Sequence, residues 1–293
     1  MITRLLPKTV RASLRTILSR HFSAPIPLID LMKYEPYQRN AFSYMIPRVV
    51  PSCKDACKLG LPIPPQHFWG KYGKTKEEYL DSGELHVGKM LELLKDSRVS
   101  LEDSSHILDF GCGAGRMTGW LKNIPITCEI WGTDISAEHI YWCKQYLSPP
   151  FHFMTTTTLP HLPFEDRYFD FIYAGSVFTH LDDLADAWLA ELRRILNIEG
   201  TMYITIHDNH TIDLLREGQR DYGIKLQDIV RSDERISAYI KSSFGMFTRD
   251  RSTSSQVFYD TEYFCQMLKP FFKVISIVKE AYGFQTGVLV RRR

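Results

Sequence analysis

The sequence predicts an α/β fold whose sheet is mostly parallel and closes with an antiparallel hairpin. Three observations carry this expectation. From residue 106 to residue 207 short apolar runs alternate with helix-period stretches, the sequence form of β-α-β units. One of those runs, His106–Phe110, leads directly into a glycine cluster, as strands do where an open sheet binds a ligand. Near the C-terminus two apolar runs are separated only by Glu280 to Gly283, too short a link for a parallel crossover.

Residues 1–29 contain Arg4, Lys8, Arg11, Arg15 and Arg20 and no acid before Asp30. This basic arm fits either a mitochondrial transit peptide or a surface helix that packs Val10, Leu14 and Leu18 and turns its arginines to water or anionic lipid. From Ala24 to Pro65 eight prolines break the chain, so residues 30–83 are expected to wrap over the core. The main domain is expected over 84–293. It opens with a helix in which Val87, Met90, Leu91 and Leu94 share one face.

Strands are expected at His106–Phe110, Glu129–Asp134, Phe151–Thr155, Phe169–Ala174 and Thr201–His207, with a short helix at Met117–Leu121. Leu184, Trp188, Leu189, Leu192 and Ile195 form one apolar stripe, a crossover helix stopped by Asn197 to Gly200. Residues 211–257 read as a polar, arginine-bearing cap or lid, with Arg231 to Arg251 open to an acidic acceptor or to solvent. The closing hairpin is expected from Phe271–Lys279 and Phe284–Val290. Phe68, Trp69, Tyr72 and Tyr79 precede the domain, either as packing or as a lid whose faces meet a cation or a sugar ring.

Composition narrows the function. With 36 basic against 34 acidic residues the net charge is +2, which gives no global field for a polyanion, so no nucleic-acid partner is expected. Six scattered cysteines are read as reduced, and Cys53-x-x-x-Cys57 lacks a second pair at ligand spacing, so no metal is expected. No apolar run reaches the roughly 18 residues of a membrane helix, which makes a soluble, cytoplasmic chain the expectation. The mitochondrial matrix is the alternative if residues 1–22 are removed.

The chemistry centres on Asp109-Phe110-Gly111-Cys112-Gly113-Ala114-Gly115-Arg116. Glycines permit positive φ and close approach of a ligand, and a helix start offers N–H groups. The register is G-x-G-x-G, not the G-x-G-x-x-G of a dinucleotide fold. Asp109 places a negative charge beside the loop, unsuited to a pyrophosphate and suited to an ammonium group. Asp134 ends the next strand at a spacing suited to ribose hydroxyls. The same acids also suit a turn cap and a helix N-cap with Ser136.

Together with Gly132-Thr133-Asp134-Ile135-Ser136, Leu162-Pro163-Phe164-Glu165-Asp166, Phe169-Asp170-Phe171-Ile172 and Leu192-Arg193-Arg194-Ile195-Leu196, the loop makes the sequence resemble the class I S-adenosylmethionine-dependent methyltransferases over residues 80–210. The resemblance implies a Rossmann-like seven-stranded methyltransferase sheet, mostly parallel with a C-terminal antiparallel hairpin, and S-adenosyl-L-methionine as cofactor. It implies that Asp109, Gly111, Cys112, Gly113 and Gly115 hold the methionine part, Asp134 the ribose and Ile135 one face of the adenine. Thr158 and Leu159 stand where the family has an acid or amide at the adenine edge, and Ser176 follows the fourth strand at the same site. Tyr141-Trp142-Cys143, Ser176–Leu181 and Ala187-Trp188-Leu189 resemble a bacterial branch of the family, which implies a small-molecule or glycan acceptor.

A hydroxyl acceptor must lose a proton as it attacks, and histidine is the efficient base near neutral pH. His180 and His207 follow the fourth and fifth strands, at the sheet edge where ligands bind. His180 is the first candidate base, His207 the rival and Asp208 an orienting carboxylate; ordinary packing roles remain open for each. The alternatives to a small-molecule enzyme are a catalytically silent cofactor-binding or assembly protein, a nucleic-acid methyltransferase using Arg291-Arg292-Arg293, and a mitochondrial enzyme acting on a quinone or lipid precursor.

Overall fold

The computed structural model describes residues 58–124, 127–218, 224–234, 236, 245–249 and 255–293. The basic arm, Cys53, Cys57 and most of the proline-rich stretch lie outside the described residues. In order come α1 (Lys76–Asp96), β1 (His106–Phe110), β2 (Glu129–Asp134), α2 (Ala137–Tyr146), β3 (His152–Thr155), β4 (Phe169–Ala174) and α3 (Ala185–Ile195). They are followed by β5 (Leu196–Ile206), α4 (Asn209–Glu217), α5 (Ile224–Ser232), β6 (Met246–Arg249), β7 (Gln256–Tyr259), α6 (Thr261–Leu268), β8 (Phe272–Tyr282) and β9 (Gln285–Arg292).

Seven strands form one sheet in the order β3-β2-β1-β4-β5-β9-β8. The first five are parallel, and β9 runs antiparallel to both β5 and β8. Alternation along the strands divides the core in two. Ile107, Phe171, Tyr173 and Tyr203 meet Met90 and Leu94 of α1 and Ile140 and Trp142 of α2 on one face. On the other, Leu108, Phe110, Ile172 and Ile204 meet Trp188 and Leu192 of α3 and Phe264 and Leu268 of α6.

The sequence expectations shift in identifiable ways. Helix α1 starts at Lys76, ahead of the domain start expected at 84, because Thr75 caps it by accepting from the Glu78 amide while Glu78 reaches back to the Lys74 amide at 2.7 Å. The Met117–Leu121 helix is only a 3₁₀ turn, Thr118–Leu121. The stop expected at Asn197 to Gly200 is the opening of β5, which follows α3 without a loop. The closing hairpin turns at Gly283 and Phe284, with Gly283 at φ +61°, so the strands extend further than read. Within 211–257, Ile212, Leu215, Leu226, Val230 and Phe247 gather around Phe258 as a separate apolar cluster. The stretch therefore has its own core, and the apolar pairs on α4 and α5 are too short a pattern to stand out in a polar sequence. Among the described residues no helix is long and apolar enough to cross a membrane.

Candidate functional site

Strand order reverses between β1 and β4, and that reversal opens a crevice at the carboxyl ends of the strands. The glycine loop fills its floor. Gly111 turns at φ +82°, and a Cβ there would lie 2.3 Å from Val177 Cγ2, so only glycine lets the loop cross beneath the segment after β4. Gly113 also has positive φ, but the space above its Cα is open. The loop is lashed to the end of β2: the Gly111 and Cys112 amides both donate to the Thr133 carbonyl, at 2.8 and 3.0 Å, and the Gly113 amide donates to Asp134 Oδ2 at 2.8 Å. The Gly115 amide donates to the Cys112 carbonyl. The expected set of free N–H groups is thus largely consumed within the loop.

A cavity of about 160 Å³ lies over this floor. Asp109 forms part of its wall, fully enclosed, accepting from the Thr118 hydroxyl at 2.6 Å. Burial pushes its carboxyl up to about 6, against the opposing pull of the Thr118 hydroxyl and of Arg116. Asp134 sits half-buried at the end of β2 and also accepts from the Ser136 amide at 2.7 Å, while Ser136 caps α2. Both oxygens keep lone pairs for a ligand. Cys112 is buried in the same wall, behind Gly132, and its thiol is raised by burial, so it acts as packing.

The four aromatics read from the sequence as packing or lid pack together beside the glycine loop. Phe68, Trp69, Tyr72 and Tyr79 all line the cavity. Trp69 stacks on Tyr79 at 5.4 Å and donates to the Pro64 carbonyl at 2.7 Å, and Phe68 sets its edge against His139 of α2 at 4.7 Å. Two further wall residues, Arg116 and Tyr282, escaped the reading. Arg116 was visible as the residue after the last loop glycine, but its neighbours come from parts of the chain with no local signal.

Of the residues expected to meet the adenine, Ile135 and Leu159 are half-buried, and the Thr158 hydroxyl is buried without a partner. Ser176, at φ +59°, has its hydroxyl engaged by Gln285 Nε2 at 2.8 Å and by Thr179 at 3.1 Å, and its amide donates to Thr205. Its side chain belongs to a polar knot joining β4, β5 and β9, which departs from a direct cofactor contact. That knot holds the segment after β4 against the loop.

The candidate bases separate clearly. His180 lies three residues beyond Val177, exposed, with Nδ1 2.6 Å from the Ser255 carbonyl. A carbonyl only accepts, so Nδ1 carries the proton and Nε2 is left basic. His207 is buried between Phe258 and Phe284, its Nδ1 without a partner, and burial lowers it to about 3. A neutral ring walled in by aromatics cannot meet an acceptor, which corrects its candidacy. Asp208 caps α4 through the Thr211 amide at 3.0 Å and accepts from Thr261 at 3.1 Å. It orients a helix end and no histidine.

Residues 108–204 match the family described as a methyltransferase domain. This stretch runs from β1 to β5 and includes the loop, both acids and the segment after β4. Residues 108–204 thus form a methyltransferase domain built on a Rossmann-like sheet of the class I type. The chain is similar to a sterol 24-C-methyltransferase of Schizosaccharomyces pombe, 24% identical over 168 residues that cover 53% of this chain and 44% of that protein. It is also similar to a trans-aconitate 2-methyltransferase of Azoarcus sp., 29% identical over 153 residues, covering 51% and 58%. The chain thus spans about half the length of these curated relatives. Among solved structures, the PH0226 protein of Pyrococcus horikoshii shares the fold with a TM-score of 0.54 and 17% identity, over 76% of this chain and 95% of that one.

Proposed function

We propose that the protein transfers the methyl group of S-adenosylmethionine to a hydroxyl on a small polar acceptor, a sugar or secondary metabolite. Two observations support the cofactor, one on the segment after β3 and one on the glycine loop. One is the orphaned Thr158 hydroxyl, placed for the adenine edge. The other is the open space above Gly113, beside the enclosed Asp109 carboxyl. These residues fit S-adenosylmethionine: Asp109 suits its ammonium group, Asp134 its ribose hydroxyls, Ile135 an adenine face and Thr158 the adenine edge. When bound, the cofactor supplies a methyl group on an electron-poor sulfonium.

Methyl transfer is an in-line displacement, so the chain's main contribution is alignment and exclusion of water. Phe68, Trp69 and Tyr72 roof the cavity with apolar surface that serves both purposes. His180 receives the acceptor's proton on Nε2, held in the correct tautomer by the Ser255 carbonyl. A nearly balanced charge favours a small acceptor over a nucleic acid.

Titration calorimetry of the purified chain with S-adenosylmethionine tests the first half, with NAD as control. Micromolar binding that Asp134→Ala weakens, with none for NAD, is the expected result; no binding, or preference for NAD, sinks the reading. Acceptors are then screened by the mass of an added methyl group. On a hydroxyl acceptor, His180→Gln lowers kcat by about 10²–10⁴ and leaves cofactor affinity in place. Unchanged kcat removes His180 as the base.

A further inference from the structure

We infer that the rim of the sheet opposite the crevice is a docking surface for an anionic membrane, its arginines and a lysine meeting lipid headgroups while Ile198 enters the apolar boundary beneath them. This surface is separate from the crevice and does not depend on its chemistry.

β4 and β5 begin at this rim and β9 ends there, so the groups gathered on it lie at the far end of the strands from the glycine loop. Cations converge on it from four parts of the chain. Arg193 lies in the last turn of α3, Arg167 precedes β4, Arg291 and Arg292 end β9, and Lys273 stands at the start of β8. Lys273 and Arg291 are directly opposite in the antiparallel β8–β9 pair, so two positive side chains share one face at neighbouring positions. Such a pair works against the sheet. On the other face, burial and then the nearby charges of Arg193 and Arg167 hold the Arg292 guanidinium below its ordinary range.

The acids within reach do not balance these charges. Asp166 and Glu191 are engaged by Arg194, and Asp170 accepts from the Ser105 and His106 amides. Glu199 lies 4.0 Å from Arg291. Among the described residues no carboxylate pairs with Arg167, Arg193, Arg292 or Lys273, and Nε of both Arg193 and Arg291 is buried without a partner. The rim is therefore built to receive anions from outside.

Ile198 tells which anionic surface fits. It is 58% exposed, the most exposed large apolar side chain among the described residues, and it stands next to Glu199 and two residues after Leu196, whose carbonyl accepts from Arg292. Its turn is fixed: the Asn197 side chain accepts from the Ile198 amide at 2.8 Å and donates to Asp170 at 3.0 Å. Glu199 completes the turn at φ +62°, a conformation that costs a non-glycine residue energy. Charge alone would suit a nucleic acid equally well. An apolar tip held among arginines gains free energy at the boundary between headgroups and acyl chains, and a phosphate backbone offers it nothing comparable. Docked in this way, the chain keeps its crevice turned toward water.

The test is co-sedimentation of the full chain with phosphatidylcholine vesicles and with vesicles that also contain phosphatidylserine. Binding is expected to the anionic vesicles alone and to weaken as salt rises. Lys273→Glu combined with Arg291→Glu is expected to weaken it at least about tenfold, and Ile198→Ser about fivefold. Melting curves confirm that each variant folds; Ile198→Ser alters no charge and no buried group, so the test survives a double variant that does not. No binding to the anionic vesicles overturns the proposal. Binding that the double variant retains in full lies elsewhere, on the basic residues 1–29, and overturns it too. An Ile198→Ser chain that binds as tightly as the wild type overturns the lipid assignment, and duplex RNA held by that chain would give the rim to nucleic acid.

Discussion

Asp109 shows how a single residue can be placed against the interest of the fold. Its carboxyl titrates near 6 in the folded chain against 3.8 when exposed, because burial disfavours its charge. Between those values the folded state holds more protons than the unfolded state, so this residue's contribution to stability falls as pH rises through that window. At about 1.4 kcal/mol per pKa unit the loss approaches about 3 kcal/mol above pH 7. Asp109→Asn removes the titration. The stability difference between variant and wild type, from urea unfolding without ligand, is expected to grow in the variant's favour from pH 4 to pH 6 and stay level above pH 7. A difference that does not vary with pH contradicts the raised carboxyl. The same variant is expected to bind S-adenosylmethionine poorly, since it has no charge for the ammonium. Asp109 was legible in the sequence as an acid beside a glycine loop, whereas its enclosure was not, because Thr118 and the aromatic roof depend on packing across the cavity.

At the scale of elements, the strands were the most legible part. Parallel strands covered on both faces read as unbroken apolar runs, and β1, β2 and β4 carry the expected bounds. Helix ends were less legible where a side chain decides them, as with Thr75 and Glu78 ahead of α1. The β3–β4 connection was legible only as a motif, and its physical anchor is on another element. Arg194 of α3 donates to the carbonyls of Leu162 and Phe164 at 2.9 and 2.8 Å, and also pairs with Asp166 and Glu191. Glu191 completes the clamp by accepting from the Leu162 amide at 2.6 Å. Because this clamp fixes the connection that carries Thr158, loosening it should be felt at the adenine end. Arg194→Lys, which keeps one charge but loses the fork, is expected to destabilise the chain by about 1–3 kcal/mol. Hydrogen exchange across residues 157–166 is expected to rise ahead of that in β4; a uniform rise across the domain would mean that the clamp acts globally.

On the scale of the molecule, the sheet makes the crevice, and segments from outside the family match join Arg116 to make its roof. The floor comes from the ends of β1, β2 and β4, which follow one another in a recognisable motif order, and so its acids and glycines were legible. The roof joins Phe68 and Tyr72 before α1, Arg116 on the loop and Tyr282 at the end of β8, and no local pattern relates positions 210 residues apart. The cavity is therefore lined from almost the whole described chain, and a bound cofactor is expected to be felt at the roof. Filling a cavity with a ligand that binds only the folded form stabilises that form by mass action. Residues 66–73, held by a 3₁₀ turn and a few polar contacts, are the roof segment with the fewest backbone bonds of their own, so their local opening is expected to be the first to be suppressed. In hydrogen exchange with and without saturating S-adenosylhomocysteine, residues 66–73 and 280–284 are expected to gain protection together with the glycine loop. The face where Trp188 and Phe264 pack should change little. Protection of the loop alone would mean that the roof is fixed before the ligand arrives, leaving access to the site to a route that does not require the aromatic strap to move.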